Sequence, residues 1–277
     1  MGFASVVVWL AACGGGGPSA KTITEAAKKT TAYSSAATAY DGKISVPTIK
    51  RKIPYAGTGV IDNRSHRTRF GVDMSGFARA AGGKGALERF KGEEIVDAAG
   101  QIVIYFNIPF FTKDPAKPWQ KIELDNALRD QTFSVGSPLN QDPAQYLDYL
   151  NGVSGKVEKV GSEQVDGVET TRYKGAIDLL HAPDALPEVR QRASRTVVNR
   201  LVKLTEQRFY PTDVWIDEEG RVRQLTFTYS VPLPDSDARI TYELTLRYSG
   251  FGTQAPVSLP PAGQVSSTGT VTVPGQG

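Results

Sequence analysis

The chain has 277 residues, of which 40% are hydrophobic and 22% are charged, a composition typical of a globular protein. Its 32 basic and 29 acidic residues give a formal net charge of +3, which is too small to indicate nucleic acid as a partner. A single cysteine, Cys13, leaves the rest of the chain without disulfides, thiolate metal sites or a cysteine nucleophile.

Residues 1–13 have the pattern of a bacterial lipoprotein signal. The apolar run at residues 6–12 is too short to span a bilayer about 30 Å thick and is typical of a secretory signal. Leu10-Ala11-Ala12-Cys13 resembles a lipobox, in which Cys13 receives diacylglycerol and becomes the mature N-terminus. An ordinary cleavage site is the alternative, because no Lys or Arg precedes the apolar run; a wrongly placed start codon would explain that absence.

Residues 14–20 form a predicted glycine-rich tether between the cysteine and the folded part. Glycine-rich segments behave as flexible coils. Two acyl chains on one cysteine anchor a protein firmly, whereas a single chain binds a membrane only marginally. We therefore expect the lipid on Cys13 to hold the chain at the extracytoplasmic face of the cell membrane.

The first elements of the folded part are predicted as a helix followed by strands. Residues 22–31 have the pattern of a short amphipathic helix. Strands are predicted at residues 33–39, 53–61 and 66–72. Residues 74–92 are rich in glycine and indicate a loop with one marginal helix, for which a lid over a cavity mouth is the alternative. The Gly82-Gly83-Lys84-Gly85 run lacks the spacing and the final Ser or Thr of a P-loop.

A hairpin is predicted at residues 94–98 and 101–108, with Ile104 and Phe106 on one of its faces. Both faces are largely apolar, which indicates either burial on both sides or a wall that faces a cavity. A short helix is predicted at residues 125–130.

The second half begins with a helix whose N-cap is Asp142 and whose first turn contains Pro143. The longest predicted helix covers residues 186–207, and its basic side is expected to be solvated. That side carries Arg190, Arg192, Arg195 and Lys203. Strands are predicted at residues 156–161, 168–177, 212–216, 221–231 and 238–249. The inward positions of the last strand are Ile240, Tyr242, Leu244, Leu246 and Tyr248. Residues 266–277 are expected to be a disordered tail.

The sequence contains no recognisable catalytic or metal-binding motif. The histidines, His66 and His181, lie on separate elements without neighbours at metal-ligand spacing, so no metal and no cofactor are predicted. Residues 217–220 are interpreted as a turn rather than a calcium site. Glu93 and Glu94 begin a strand and point to opposite faces, so they do not form a paired acid and base. We therefore do not expect an enzyme.

The order of elements predicts an α+β protein with one large antiparallel sheet. Several segments between residues 10 and 265 carry a family resemblance: the lipobox, the early helix, the Asp142-Pro143 helix with Tyr146, Leu147 and Leu150, the run of residues 155–173, the Asp213-Val214-Trp215-Ile216-Asp217 strand, and residues 256–261. On these segments the chain is similar to the LolA-like envelope lipoproteins, of the actinobacterial LppX and LprG kind.

That resemblance implies a strongly curved sheet, a half-barrel, in a domain over residues 21–265 whose concave face is covered by helices. It also implies an apolar cavity that binds acyl chains of lipids or lipoglycans for transport across the cell envelope, with no catalytic residues. The candidate cavity-wall residues are Ile104, Phe106, Tyr242, Leu244 and Leu246, which would serve equally well in a filled core. The alternative function is an envelope sensor or protein-interaction module on the same scaffold, with an envelope protein as its partner.

Overall fold

The computed structural model describes residues 20–73, 75–80, 90–112, 114–123, 142–233 and 237–267. The predictions for the lipobox, for residues 14–19 of the tether and for the helix at 125–130 lie outside the described residues, as do residues 81–89 of the glycine-rich loop and the tail beyond residue 267. Residue 20, predicted in the tether, begins a helix, and residues 266 and 267, predicted in the tail, belong to a strand.

Within these ranges, the strands form one open sheet of 12 strands. The strands are β1 (Ser35–Ser45), β2 (Ile53–Asp62), β3 (Arg67–Asp73), β4 (Lys91–Asp97), β5 (Val103–Asn107), β6 (Trp119–Glu123), β7 (Val153–Val165), β8 (Val168–Asp178), β9 (Phe209–Asp217), β10 (Val222–Pro232), β11 (Arg239–Ser249) and β12 (Val265–Ser267). Their order across the sheet is β12-β6-β5-β4-β3-β2-β1-β11-β10-β9-β8-β7. The predicted α+β class with one large sheet is confirmed. Strand β12 was not predicted, and its parallel pairing with β6 makes the sheet mixed.

The described helices are α1 (Ala20–Ala32), α2 (Ser75–Ala80), α3 (Pro143–Tyr149) and α4 (Glu188–Thr205). Helix α1 buries the side formed by Ile23, Ala26, Ala27 and Thr30. The Thr30 hydroxyl accepts a hydrogen bond of 2.8 Å from the backbone N–H of Val222, which fixes α1 to β10. No helix in this part of the chain combines the length and apolarity needed to cross a membrane.

Helix α3 begins as its sequence predicts. The Asp142 carboxylate accepts a hydrogen bond of 3.0 Å from the backbone N–H of Ala144, and Pro143 occupies the first turn. The other end of the helix is closed by a 3-10 turn at Leu150–Gly152. The Tyr248 hydroxyl on β11 donates to the Pro143 carbonyl oxygen at 2.8 Å, so the start of α3 is held against the middle of the sheet.

The sheet curves around α3. Burial raises the pKa of Tyr146 well above its ordinary value, and nearby Tyr55 on β2 and Tyr210 on β9 add to the effect. Strands β2 and β9 are separated in the sheet by β1, β11 and β10. Tyr146 on α3 and both tyrosines belong to the same hydrophobic core, and the face of the sheet that carries this core is the concave face.

Buried side chains from both ends of the sheet and from α1, α3 and α4 form one hydrophobic core on this concave face. A smaller group on the opposite face contains Ile95, Trp119 and Val257. The C-terminal segment therefore covers the back of β4 and β6. This arrangement explains the two apolar faces of the predicted hairpin, because Ile104 points into the main core while Ile95 contacts the smaller group.

Candidate functional site

A cavity of about 150 Å³ lies where the β2–β3 turn and the β4–β5 hairpin meet α1, α3 and α4. Its apolar lining is Ile61, Val96, Ala98, Gly100, Ile102, Ala144, Leu186 and Ala193, and its polar lining is Thr31, Asp62, Asn63, His66, Arg67, Thr68, Asp142, Gln145, Asp148, Arg190 and Ser194. The cavity is therefore amphiphilic and borders the continuous apolar core.

Asp142 forms part of the inner wall of this cavity, with only 8% of the residue exposed. Its carboxyl group accepts hydrogen bonds from the backbone of Ala144 and from the hydroxyl of Thr68 on β3. Burial raises its pKa above the ordinary value, against the lowering effect of these bonds. The residue that begins α3 thus also joins the helix to the sheet.

Asp148 and Arg190 join α3 to α4 across the cavity. Arg190 Nη1 lies 3.2 Å from Asp148 Oδ2, and the two side chains are 23% and 18% exposed. Burial raises the pKa of Asp148 to about 6, although the nearby Arg190 guanidinium opposes that rise. The predicted solvated basic face holds for Arg192, Arg195 and Lys203, which are exposed, but not for Arg190, whose side chain is 23% exposed and paired with the acid on α3.

His66, which the sequence did not single out as a site residue, lies in the cavity wall at the end of the β2–β3 turn. Its backbone has a φ of 52°, in the left-handed region that few residues other than glycine adopt. Burial lowers the pKa of its imidazole, and the nearby Arg190 charge lowers it further. The ring is therefore neutral at pH 7 and can both donate and accept a hydrogen bond.

The charges around the cavity are largely paired within the protein. Arg64 Nε contacts Asp62 Oδ1 at 3.0 Å, and Arg67 Nε lies 3.4 Å from Asp97 Oδ2. By contrast, the Gln145 side chain and the Ser194 hydroxyl make no hydrogen bond within the part of the chain that the structure describes. The groups left to meet a ligand are thus mostly neutral donors and acceptors.

The five predicted cavity-wall residues are buried in the main core. Ile104 and Phe106 lie on β5, and Tyr242, Leu244 and Leu246 lie on β11. None of them lines the cavity described above, although Val96, the register partner of Ile104, does. Their contact with an acyl chain remains a prediction.

Tyrosines form a feature of the concave face that the alternating pattern did not single out. Tyr210, Tyr229 and Tyr242 stack across β9, β10 and β11, with centroid distances of 5.6 Å and 4.9 Å and interplanar angles of 10° and 8°. The Tyr210 hydroxyl donates to Thr205 Oγ1 at 3.1 Å. Their inward positions follow from the alternation of side chains along each strand. The stacking also requires the register in which β9, β10 and β11 pair, which the alternation alone does not give.

The turn at residues 217–220 is confirmed. The Asp217 carboxylate accepts hydrogen bonds from Arg221 Nε at 2.8 Å and Arg223 Nε at 2.7 Å, so its oxygens are used within the protein. Among the described residues, no group of three or more His, Cys, Asp or Glu side chains is suited to hold a metal ion.

No protein-family model matches the chain. Over 125 residues, it is 30% identical to an uncharacterized 31.2 kDa protein of Streptomyces griseus encoded in the rplA-rplJ intergenic region. The alignment covers 44% of this chain and 38% of that relative, so the chain spans less than two fifths of the protein it matches.

Three of the solved structures that match the chain come from the group that its sequence resembles. Lipoprotein LppX of Mycobacterium tuberculosis has a TM-score of 0.47 and 13% identity, with 86% of this chain and 97% of that chain covered. LprF of Mycobacterium bovis has a TM-score of 0.43 and 12% identity, with 89% of this chain and 99% of that chain covered. A LolA superfamily protein of Nitrosomonas europaea has a TM-score of 0.33 and 11% identity, with 87% of this chain and 95% of that chain covered. None of these TM-scores reaches 0.5.

Proposed function

We propose that this protein binds an acyl chain of a lipid or lipoglycan, and that the lipid on Cys13 anchors it at the extracytoplasmic face of the cell membrane. The observation that carries the proposal is the amphiphilic cavity beside a continuous apolar core on the concave face. An acyl chain gains about 0.8 kcal/mol for each CH₂ group removed from water, so few polar contacts are needed to hold it. Transport of the lipid across the envelope is part of the proposal.

The polar end of the ligand would occupy the cavity itself. Because Asp148 is paired with Arg190 and Asp62 with Arg64, a charged headgroup would have to compete with existing ion pairs. A neutral, hydroxyl-rich group such as glycerol or a sugar would instead meet Gln145 and other neutral side chains of the lining. This lining therefore favours a glycerolipid or glycolipid, and we assign no reaction to the site.

A cavity-filling variant tests this placement. Ala193 lines the cavity from α4, so Ala193→Phe should fill part of the space. Thr196 is exposed on the same helix, and Thr196→Phe is the matched control for adding an aromatic ring. Titration with a fluorescent monoacylglycerol should show at least tenfold weaker binding to Ala193→Phe and unchanged binding to Thr196→Phe.

Equal binding by both variants would show that the ligand does not occupy the cavity. A protein that binds no acyl compound but forms a specific cross-link to an envelope protein would instead favour the alternative function of a sensor or interaction module. Thermal unfolding of each variant establishes that the comparison is made between folded proteins.

A further inference from the structure

Glu94 is a buried acid that the lipid-binding proposal leaves unexplained. It lies on β4, and its register partners are Phe70 on β3 and Phe106 on β5. All three residues are buried, and Glu94 has no exposed surface. In the described part of the chain, neither Oε1 nor Oε2 of Glu94 has a hydrogen-bond partner. Most buried polar groups in folded proteins have one, so this side chain calls for a specific explanation.

Glu94 lies beside the inner wall of the cavity along β4 and is not itself a lining residue. Thr68 and Val96 are register partners that line the cavity, and Val96 follows Glu94 by two residues on the same face of β4. Positions two residues apart on a strand are separated by about 7 Å. Asp142, which also lines the cavity, is close enough to influence the ionisation of Glu94.

The chemistry of Glu94 in this position is that of a neutral acid. Burial raises its pKa well above the ordinary value, and the nearby Asp142 carboxyl raises it further. A protonated carboxyl group carries one O–H donor. The aromatic neighbours Phe70 and Phe106 offer no acceptor, so a fitting partner is a neutral oxygen carried by an otherwise apolar molecule.

We propose that Glu94 is a ligand-binding residue whose carboxyl group donates a hydrogen bond to the carbonyl oxygen of an acyl ligand that enters from the cavity. The carbonyl belongs to an acyl ester or to a free fatty acid. This inference rests on the proposed function and adds the position of the ligand's carbonyl, which marks the junction between its polar end and its chain.

The test compares neutral ligands that share a 16-carbon chain and differ in whether it carries a carbonyl group. Methyl palmitate, palmitic acid and hexadecane are used to displace 1-anilinonaphthalene-8-sulfonate from the full chain at about pH 4, where the carboxyl group of palmitic acid is mainly protonated. Wild-type protein should bind at least one of the two carbonyl compounds about three- to tenfold more tightly than hexadecane, as expected for one neutral hydrogen bond. Stronger binding of methyl palmitate identifies an ester as the preferred source, and stronger binding of palmitic acid identifies a free fatty acid.

Two apolar replacements, Glu94→Met and Glu94→Leu, should abolish this preference while retaining binding of hexadecane. Glu94→Gln should keep part of it, because an amide N–H can still donate. Thr38→Val is the matched control, since Thr38 Oγ1 is another buried atom without a partner among the described residues. This control should keep the full preference, and thermal unfolding shows which variants are folded.

Apolar variants at residue 94 that still prefer the carbonyl compounds would overturn the inference. Wild-type protein that binds all three compounds equally would overturn it as well, but would leave acyl binding intact. Failure of all three compounds to displace the probe would overturn the proposed function and this inference together.

Discussion

Replacing Asp148 with asparagine should remove a pH-dependent loss of stability. Asp148 is largely buried on α3, and burial raises its pKa from 3.8 to about 6 despite the opposing effect of Arg190. Each unit of difference between the folded and the unfolded pKa corresponds to about 1.4 kcal/mol in the free energy of unfolding. Ionising Asp148 in the folded protein therefore costs roughly 3 kcal/mol more than ionising it in the unfolded chain.

The sign follows from which state holds the proton more tightly. Because the folded pKa is the higher one, the stability that Asp148 contributes is fully present below its unfolded pKa of 3.8. That contribution is lost as the pH rises through about 6. Asparagine does not ionise, so the Asp148→Asn variant lacks this component of the pH dependence.

Urea unfolding of both proteins between pH 4 and pH 7 measures the effect. The free energy of unfolding of wild type minus that of Asp148→Asn should fall by about 2.4 kcal/mol across this range, because part of the full difference lies below pH 4. Asp184→Asn is the control, because Asp184 pairs with Arg195 at 2.7 Å but is 49% exposed, and the change should stay within about 1 kcal/mol. A difference that stays constant or grows with pH would refute the reasoning and show that the Arg190 ion pair outweighs burial.

Three further changes test how the fold is held together, each followed by urea unfolding. Thr30→Val should cost about 1–3 kcal/mol, because it leaves the backbone N–H of Val222 buried without an acceptor; a change under 0.5 kcal/mol would contradict this. Phe106→Ala should lower the free energy of unfolding by about 3–5 kcal/mol, whereas Val160→Ala, at an exposed position, should lower it by less than about 1 kcal/mol. Equal effects of the two substitutions would contradict the placement of Phe106 in the core. Asp217→Asn should lower the free energy of unfolding by about 3–5 kcal/mol at pH 7, because it removes the buried negative charge that contacts both Arg221 and Arg223. Burial alone would raise the pKa of Asp217, but its hydrogen bonds outweigh burial and lower the pKa. The destabilisation caused by Asp217→Asn should therefore shrink below about pH 4, and a destabilisation that grows there would contradict this reasoning.

Local patterns in the sequence predicted the elements whose causes are local. The alternation along residues 238–249 gave the inward face of β11, because side chains of a strand alternate with a period of two. The Asp142-Pro143 pair gave the start of α3, because a cap bond and a fixed proline φ act within one turn. The sequence did not predict β12, which exists only through pairing with a strand more than 140 residues earlier in the chain.

The candidate site was harder to predict because it depends on curvature. Asp142 was recognised as a cap, but its contact with Thr68 depends on the sheet bending around α3. Arg190 was assigned to a solvated face because helical periodicity does not show what lies opposite the helix. The position of Glu94 could have been recognised from the sequence. It precedes Val96 by two residues in the same strand, so its carboxyl group lies on the same inward face as Val96.

Native mass spectrometry of the purified protein lacking residues 1–13 tests the central claim most directly. We expect a species heavier than the bare chain by the mass of one acyl lipid, which is released on collisional activation and reduced in the Ala193→Phe variant. A protein that carries no such mass, and gains none after incubation with a membrane lipid extract, would contradict the assignment of the concave core and its cavity to lipid binding.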